Sequence, residues 1–151
     1  MKKQFLAGAL LSSVAGFGQT LPEAITKTDN ERFELAAADF RSLIAKEPTK
    51  GDYYFYYGEN FFKDEDLDSA NIYYKKGTEL NPTNPLNYVG LAKILLAKGN
   101  VTEAKTQFFK AASIGANKNA EVMRRTAEAW LVTDTKNADE AMAQANGAIK
   151  I

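Results

Sequence analysis

Residues 51–84 read GDYYFYYGENFFKDEDLDSANIYYKKGTELNPTN, and the segment from Asp52 to Phe62 holds four tyrosines and three phenylalanines in eleven positions. A sugar-binding platform, an aggregation-prone strand and a base-stacking surface could each use so many rings. Each of them requires different company in the rest of the chain, so the surrounding sequence decides.

Working outward, the same residue types return at a fixed interval. Ala36, Ala70 and Ala104 are spaced by 34 residues, as are the rings Phe40, Tyr74 and Phe108, the apolar residues Phe33, Leu67 and Val101, and the prolines Pro48 and Pro82. A period of this length marks a supersecondary unit stacked on copies of itself. Within a unit, Tyr54, Tyr57, Gly58 and Phe61 are followed at the same offsets by Tyr88, Leu91, Ala92 and Leu95. Steps of three and four residues trace one face of a helix. Leu67, Ala70, Tyr74 and Gly77 step by three, four and three, so each unit holds two helices, separated by the polar turns KDED and KGN. The expected unit is a helical hairpin.

These columns resemble the tetratricopeptide repeat. Its pattern is an aromatic residue, a large apolar residue three positions on, Gly, Tyr, then Ala, an aromatic four positions on and a late Pro. Tyr54, Tyr57, Gly58, Phe61, Ala70, Tyr74 and Pro82 fill all seven places. Residues 85–118 match with Tyr88, Leu91, Ala92, Leu95, Ala104 and Phe108, but Ala116 replaces the proline. Residues 19–50 form a degenerate first repeat, with Phe33, Ala36, Phe40 and Pro48 in place but Thr20, Glu23 and Lys27 where apolar residues belong. Thr20 and Glu23 have capping-box spacing, with Pro22 in the first turn. Residues 119–151 read as a degenerate fourth repeat, with Met123, Ala127 and Trp130 on one face and Ala141, Ala145 and Ala148 on another, if about three residues are inserted relative to the strict frame. The resemblance implies an all-α, right-handed α-solenoid of antiparallel helix pairs with about four repeats.

In that architecture Tyr54, Tyr57 and Phe61 are expected in the core, each ring contributing about 1.5–3 kcal/mol. Gly58 is expected opposite Ala70, where helix backbones approach. Phe55 and Phe62 fall outside this buried set, on the face that lines the inner groove of the family's superhelix. The same offsets bring Phe55, Glu59, Phe62 and Lys63 from one unit to the groove, with Val89, Lys93, Leu96 and Ala97 from the next and Arg124, Glu128 and Leu131 from the last. Apolar residues interleaved with both signs of charge suit a bound peptide or helix. The subclass that clamps acidic peptide tails uses Lys and Asn where this chain has Phe55, Glu59 and Gly90, which disfavours that specificity.

Residues 1–18 are of a different kind. Lys2 and Lys3 precede an apolar run from Phe5 to Phe17, closed by Gly16 and Gly18 before Gln19. This is the pattern of a secretory signal peptide cleaved after Gly18. The thirteen-residue run would extend only about 20 Å as a helix, short of the roughly 30 Å of a bilayer core. Removing it leaves 17 basic against 19 acidic residues, a formal charge of −2. That balance is the wrong sign for a nucleic-acid partner.

The chain has no His and no Cys, which removes imidazole and thiolate metal sites and the common nucleophile pairings. Asp64, Asp66 and Asp68 alternate like the start of a calcium loop, but Ser69 and Lys75 stand where the turn Gly and the bidentate Glu belong. They read instead as acids in a turn and in a first helical turn, where the helix dipole favours them. No catalytic, cofactor or metal site is expected. The expected function is that of an exported adaptor in the periplasm or cell envelope of a bacterium, with a protein or peptide ligand in its concave groove. The alternative is a structural spacer or oligomerisation segment of a larger envelope assembly. Ala145, Ala148, Ile149 and Ile151 keep the end of the chain apolar, predicting self-association, a partner or a continuing chain there.

Overall fold

A computed structural model describes residues 19–115 and 119–132. Among these residues seven helices follow one another: α1 (Leu21–Asp29), α2 (Phe33–Lys46), α3 (Gly51–Lys63), α4 (Leu67–Leu80), α5 (Pro85–Ala97), α6 (Val101–Ile114) and α7 (Ala120–Val132). No strand occurs among the described residues. Helices α1/α2, α3/α4 and α5/α6 pair as hairpins, and each hairpin packs on the next. The expected all-α solenoid is the observed fold. The proposed leader, Ala116 and the last apolar residues lie outside the described residues.

The period governs the turns as strictly as the helices. Glu31, Glu65 and Gly99, spaced by 34, all have left-handed backbones, with φ of 58°, 62° and 78°. Each is followed by a backbone bond of the same type: Arg32 N–H to Lys27 O at 2.8 Å, Asp66 N–H to Phe61 O at 3.0 Å and Asn100 N–H to Leu95 O at 2.8 Å. These are Schellman closures, which satisfy the last carbonyls of one helix and reverse the chain. The Asp66 carboxylate then caps α4 by accepting the Ser69 N–H at 3.0 Å, the role expected for the acids of this turn. The capping box at the start of α1 is present in both directions, with Glu23 N–H to Thr20 Oγ1 at 3.4 Å and Thr20 N–H to Glu23 Oε2 at 3.0 Å.

Between hairpins, small residues admit large ones. The ring of Tyr74, on α4, is wedged between α3 and α5. A methyl group added to Gly58 on one side or Gly90 on the other would lie inside it. Gly58 therefore faces Tyr74 and not Ala70 as the sequence suggested, because the ring reaches further between the helices than the alanine. Phe40 stacks on Tyr57 at 5.4 Å and Phe108 meets Trp130 at 5.5 Å, so the three rings of one column each bridge to a following helix. Tyr54 Oη donates to Pro48 O at 2.6 Å and Tyr88 Oη to Pro82 O at 3.2 Å, one contact in two copies.

The ring-rich stretch is explained by the position of α3 between two apolar clusters. Tyr53 and Tyr57 join Ala24, Ala36, Phe40 and Leu43 on one side, and Phe55 joins Tyr74, Val89 and Leu96 on the other. Phe55 is buried with only 1% of its surface exposed, against the expectation that it lies outside the core. The expectation considered one hairpin, whereas the next repeat covers the remaining stripe of α3. Helix α7 begins one residue past the strict frame, and the strict-frame positions Val122, Thr126 and Ala129 are buried with Ala127 and Trp130 while Met123 is half-buried. The second half of this unit, with Ala141, Ala145 and Ala148, lies outside the described residues.

The wedge and the turns can each be tested by one substitution or two. Gly58→Ala gains about 1 kcal/mol in helix propensity but forces a ring that Gly90 pins from behind, costing about 1–3 kcal/mol. The net effect is expected to be a melting temperature lowered by several degrees in a thermal scan; an unchanged or raised value would contradict the wedge. At the turns, Glu65→Gly relieves about 1–2 kcal/mol of left-handed strain and gives back part of it in chain entropy. It is expected to raise the urea midpoint, while Gly99→Ala lowers it.

Candidate functional site

Successive odd-numbered helices are joined by charged rungs one repeat apart. Lys93 Nζ on α5 lies 3.1 and 3.0 Å from the two carboxylate oxygens of Glu59 on α3. Lys63 Nζ on α3 lies 2.6 Å from Asp29 Oδ1 on α1. Tyr74 Oη, having passed between α3 and α5, donates to Glu59 Oε1 at 2.6 Å. The Lys93 ammonium also stands 4.0 Å from the centre of the Phe62 ring. Charge, hydroxyl and ring thus meet on the inner side of α3 and α5.

Glu59 and Lys93 are both buried, and a pair taken out of water is tolerable only when its hydrogen bonds are met. Burial resists ionisation of Glu59. The Lys93 ammonium and the Tyr74 hydroxyl outweigh it and hold the carboxyl below its ordinary range. Burial and the adjacent Glu59 carboxylate push the Tyr74 hydroxyl well above the usual phenol range, so it stays a donor.

The nine residues expected in the groove divide by depth. Phe55, Glu59, Val89, Lys93 and Leu96 are buried, Phe62 and Glu128 are half-buried, and Lys63 and Arg124 are exposed. Phe62, Lys63 and Lys93 come together with Glu65, Leu67, Ala97 and Val132 around an open hollow of about 520 Å³. Arg124 sits apart from it, paired with Glu121 at 2.7 Å and with Glu128 on its own helix. The deeper residues are covered because α7 lies along α5 and sends Arg125 over the rings of Phe55 and Tyr56, 5.6 and 5.4 Å from their centres. Tyr56 and Arg125 were not among the expected residues. The available signal was Tyr56 standing one helical turn before Glu59.

Among the described residues, no group of three or more carboxylates is arranged to hold a metal ion. No helix there is long and apolar enough to cross a membrane.

Two family models for the tetratricopeptide repeat match overlapping stretches, residues 21–85 and 73–106, which together span more than half of the chain. The chain belongs to the tetratricopeptide repeat family. No curated protein matches it. Among solved structures, this tetratricopeptide repeat protein is similar to a thermophilic TPR protein of Thermus thermophilus, with 19% identity over 84% of this chain and 69% of that one and a TM-score of 0.65. It is also similar to SycD, a type III secretion translocator chaperone of Yersinia enterocolitica, with 18% identity over 85% of this chain and 88% of that one and a TM-score of 0.61. YrrB, described as a TPR protein with an unusual peptide-binding site, matches with 19% identity over 84% of this chain and 64% of that one, at a TM-score of 0.53. At these identities the likeness is one of fold.

The buried pair gives the site a pH dependence. Glu59 is depressed in the folded state, so its contribution is fully present above the ordinary carboxylate pKa of about 4.3 and is lost as pH falls through the folded value. Glu59→Gln leaves the buried Lys93 unpaired, an expected loss of about 3–5 kcal/mol at pH 7. Urea midpoints at pH 7 and pH 3 are expected to fall further for the wild type than for the variant. Equal falls would mean that Glu59 is not ionised in the folded protein.

Proposed function

We propose that this tetratricopeptide repeat protein is an exported, non-catalytic adaptor that holds a peptide or a segment of a partner protein against its inner face, in the periplasm or cell envelope of a bacterium. The observation that carries this reading is the open hollow at Phe62, Lys63, Ala97 and Val132, an apolar floor rimmed by both signs of charge. Such a surface suits a side chain entering from a bound segment, with rim charges setting its register. Phe62 and Lys63 make direct contacts in this reading, Arg124 and Glu128 extend the surface along α7, and Phe55, Glu59, Val89, Lys93 and Leu96 form the rigid bed beneath. The similarity to solved repeat proteins described as a chaperone and as having a peptide-binding site is in keeping with it. Export rests on the leader-like pattern of residues 1–18.

A second reading, a spacer or oligomerisation segment, is favoured by the exposed apolar side chains Phe109, Leu131 and Val132 on α6 and α7. One experiment separates the two. A photo-crosslinking residue placed at Phe62, and as a control at the exposed Ile72 on α4, is irradiated in cells expressing the full chain. A discrete adduct from position 62 that is missing from position 72 is the expected result. An adduct of twice the chain's mass favours self-association. Equal labelling from both positions would overturn the inner face as the binding surface.

A further inference from the structure

The charged residues around the hollow at Phe62 are Lys63, Lys93 and Glu65. Both lysines already have partners. Lys93 Nζ is shared between the two carboxylate oxygens of Glu59 and stands over the Phe62 ring, and Lys63 Nζ lies 2.6 Å from Asp29 Oδ1. Glu65 is exposed, and among the described residues its carboxylate joins no ion pair and accepts no hydrogen bond. The hollow therefore combines an apolar floor of Phe62, Leu67, Ala97 and Val132 with two neutralised lysines and one uncompensated negative charge.

The backbone beneath Glu65 gives this charge a second significance. Its neighbour Asp66 serves the fold by capping Ser69, whereas Glu65 occupies the left-handed position of the turn, with φ of 62°, where the third turn of the same chain has Gly99. A residue with a Cβ is strained at such a position and glycine is not. Strain kept for a side chain that touches nothing in its own protein points to a role outside it. The bond from Asp66 N–H to Phe61 O at 3.0 Å closes the turn, so the carboxylate is carried at a fixed place beside the Phe62 ring. Glu31 shares the strained backbone in the first turn but is not among the residues around this hollow, so comparing the two separates the turn from the site.

We propose that the hollow receives a basic, apolar segment of a partner protein: an apolar side chain seats on Phe62 and Leu67, and a Lys or Arg within about four positions of it pairs with Glu65. The inference rests on the adaptor reading of the inner face and names the chemistry of its ligand. An acidic segment is opposed by Glu65 and gains a lysine only by taking it from Asp29 or from Glu59. In the second case a buried carboxylate is left without its partner, which is costly. A cation disturbs neither pair. Affinity in this arrangement comes chiefly from the apolar side chain, while the rim charge selects the partner and speeds its approach.

The test pans random peptides displayed on phage against the full chain and against Phe62→Ala. Peptides held by the wild type and lost with Phe62→Ala are expected to join an apolar residue to a Lys or Arg and to be poor in Asp and Glu. A fluorescein-labelled copy of the most frequent peptide is then titrated by anisotropy. Its Kd is expected to rise about fivefold on Glu65→Gly and at least about tenfold on Glu65→Lys, while Glu31→Gly leaves it unchanged. Glu65→Gly is thus expected to bind less well while its urea midpoint rises, the opposite of what a loss of fold gives. Equal affinity for the wild type and both Glu65 variants, or recovery of acidic peptides that need Phe62, overturns the proposal and keeps the adaptor reading. Failure to recover any peptide that needs Phe62, the result expected if a second copy or residues 133–151 of the same chain took the hollow, overturns both. If Phe62→Ala does not melt cooperatively, the panning is repeated with Glu65→Lys, altered at an exposed position, as the comparison.

Discussion

The wedging of Tyr74 between α3 and α5 is the interaction on which the rest of the structure depends. One ring from α4 fills the space left by two glycines on two different helices, Gly58 and Gly90. Its hydroxyl then emerges on the inner side and orients Glu59 for Lys93. Apolar packing, backbone approach and a buried charge pair are thereby tied to one side chain. The hydroxyl matters because a buried Glu59–Lys93 pair with unmet hydrogen bonds would cost more than its attraction returns.

The consequence is that neighbouring repeats share their core. Helix α3 faces one cluster through Tyr53 and Tyr57 and another through Phe55. Tyr57, Phe61 and Tyr73 stack with centroid separations of 4.1 to 5.3 Å along its outer side. A helix sandwiched in this way has little polar surface to offer, which is why its sequence looks unlike that of an ordinary amphipathic helix. The same crowding covers Phe55 and leaves, among the described residues, an open hollow near Phe62.

Much of the fold was legible because a solenoid repeats its chemistry at a fixed interval. Alanine and ring columns gave the hairpins, Thr20 with Glu23 gave the first cap, and the acids around Asp66 belong to a turn, as their spacing implies. Glu59 and Lys93 were placed on the inner face by their offsets, but that they bond to each other there, and not to a ligand, was not read from the sequence. The burial of Phe55 was not legible, because counting faces within one hairpin ignores what the following helices cover. The partner of Gly58 was missed since spacing reveals a small residue but not how far a neighbouring ring reaches. Arg125 escaped because its role comes from where α7 lies across α5, a tertiary fact with no periodic signature in a diverged unit.

The most direct measurement is residue-resolved amide hydrogen exchange on the wild type and on Tyr74→Ala. If the wedge couples the hairpins, amides of α2 and α5 open with the same free energy in the wild type, and in the variant those of α5 lose far more protection than those of α2. Equal loss throughout, or none, would contradict the claim that this ring joins the two halves of the core.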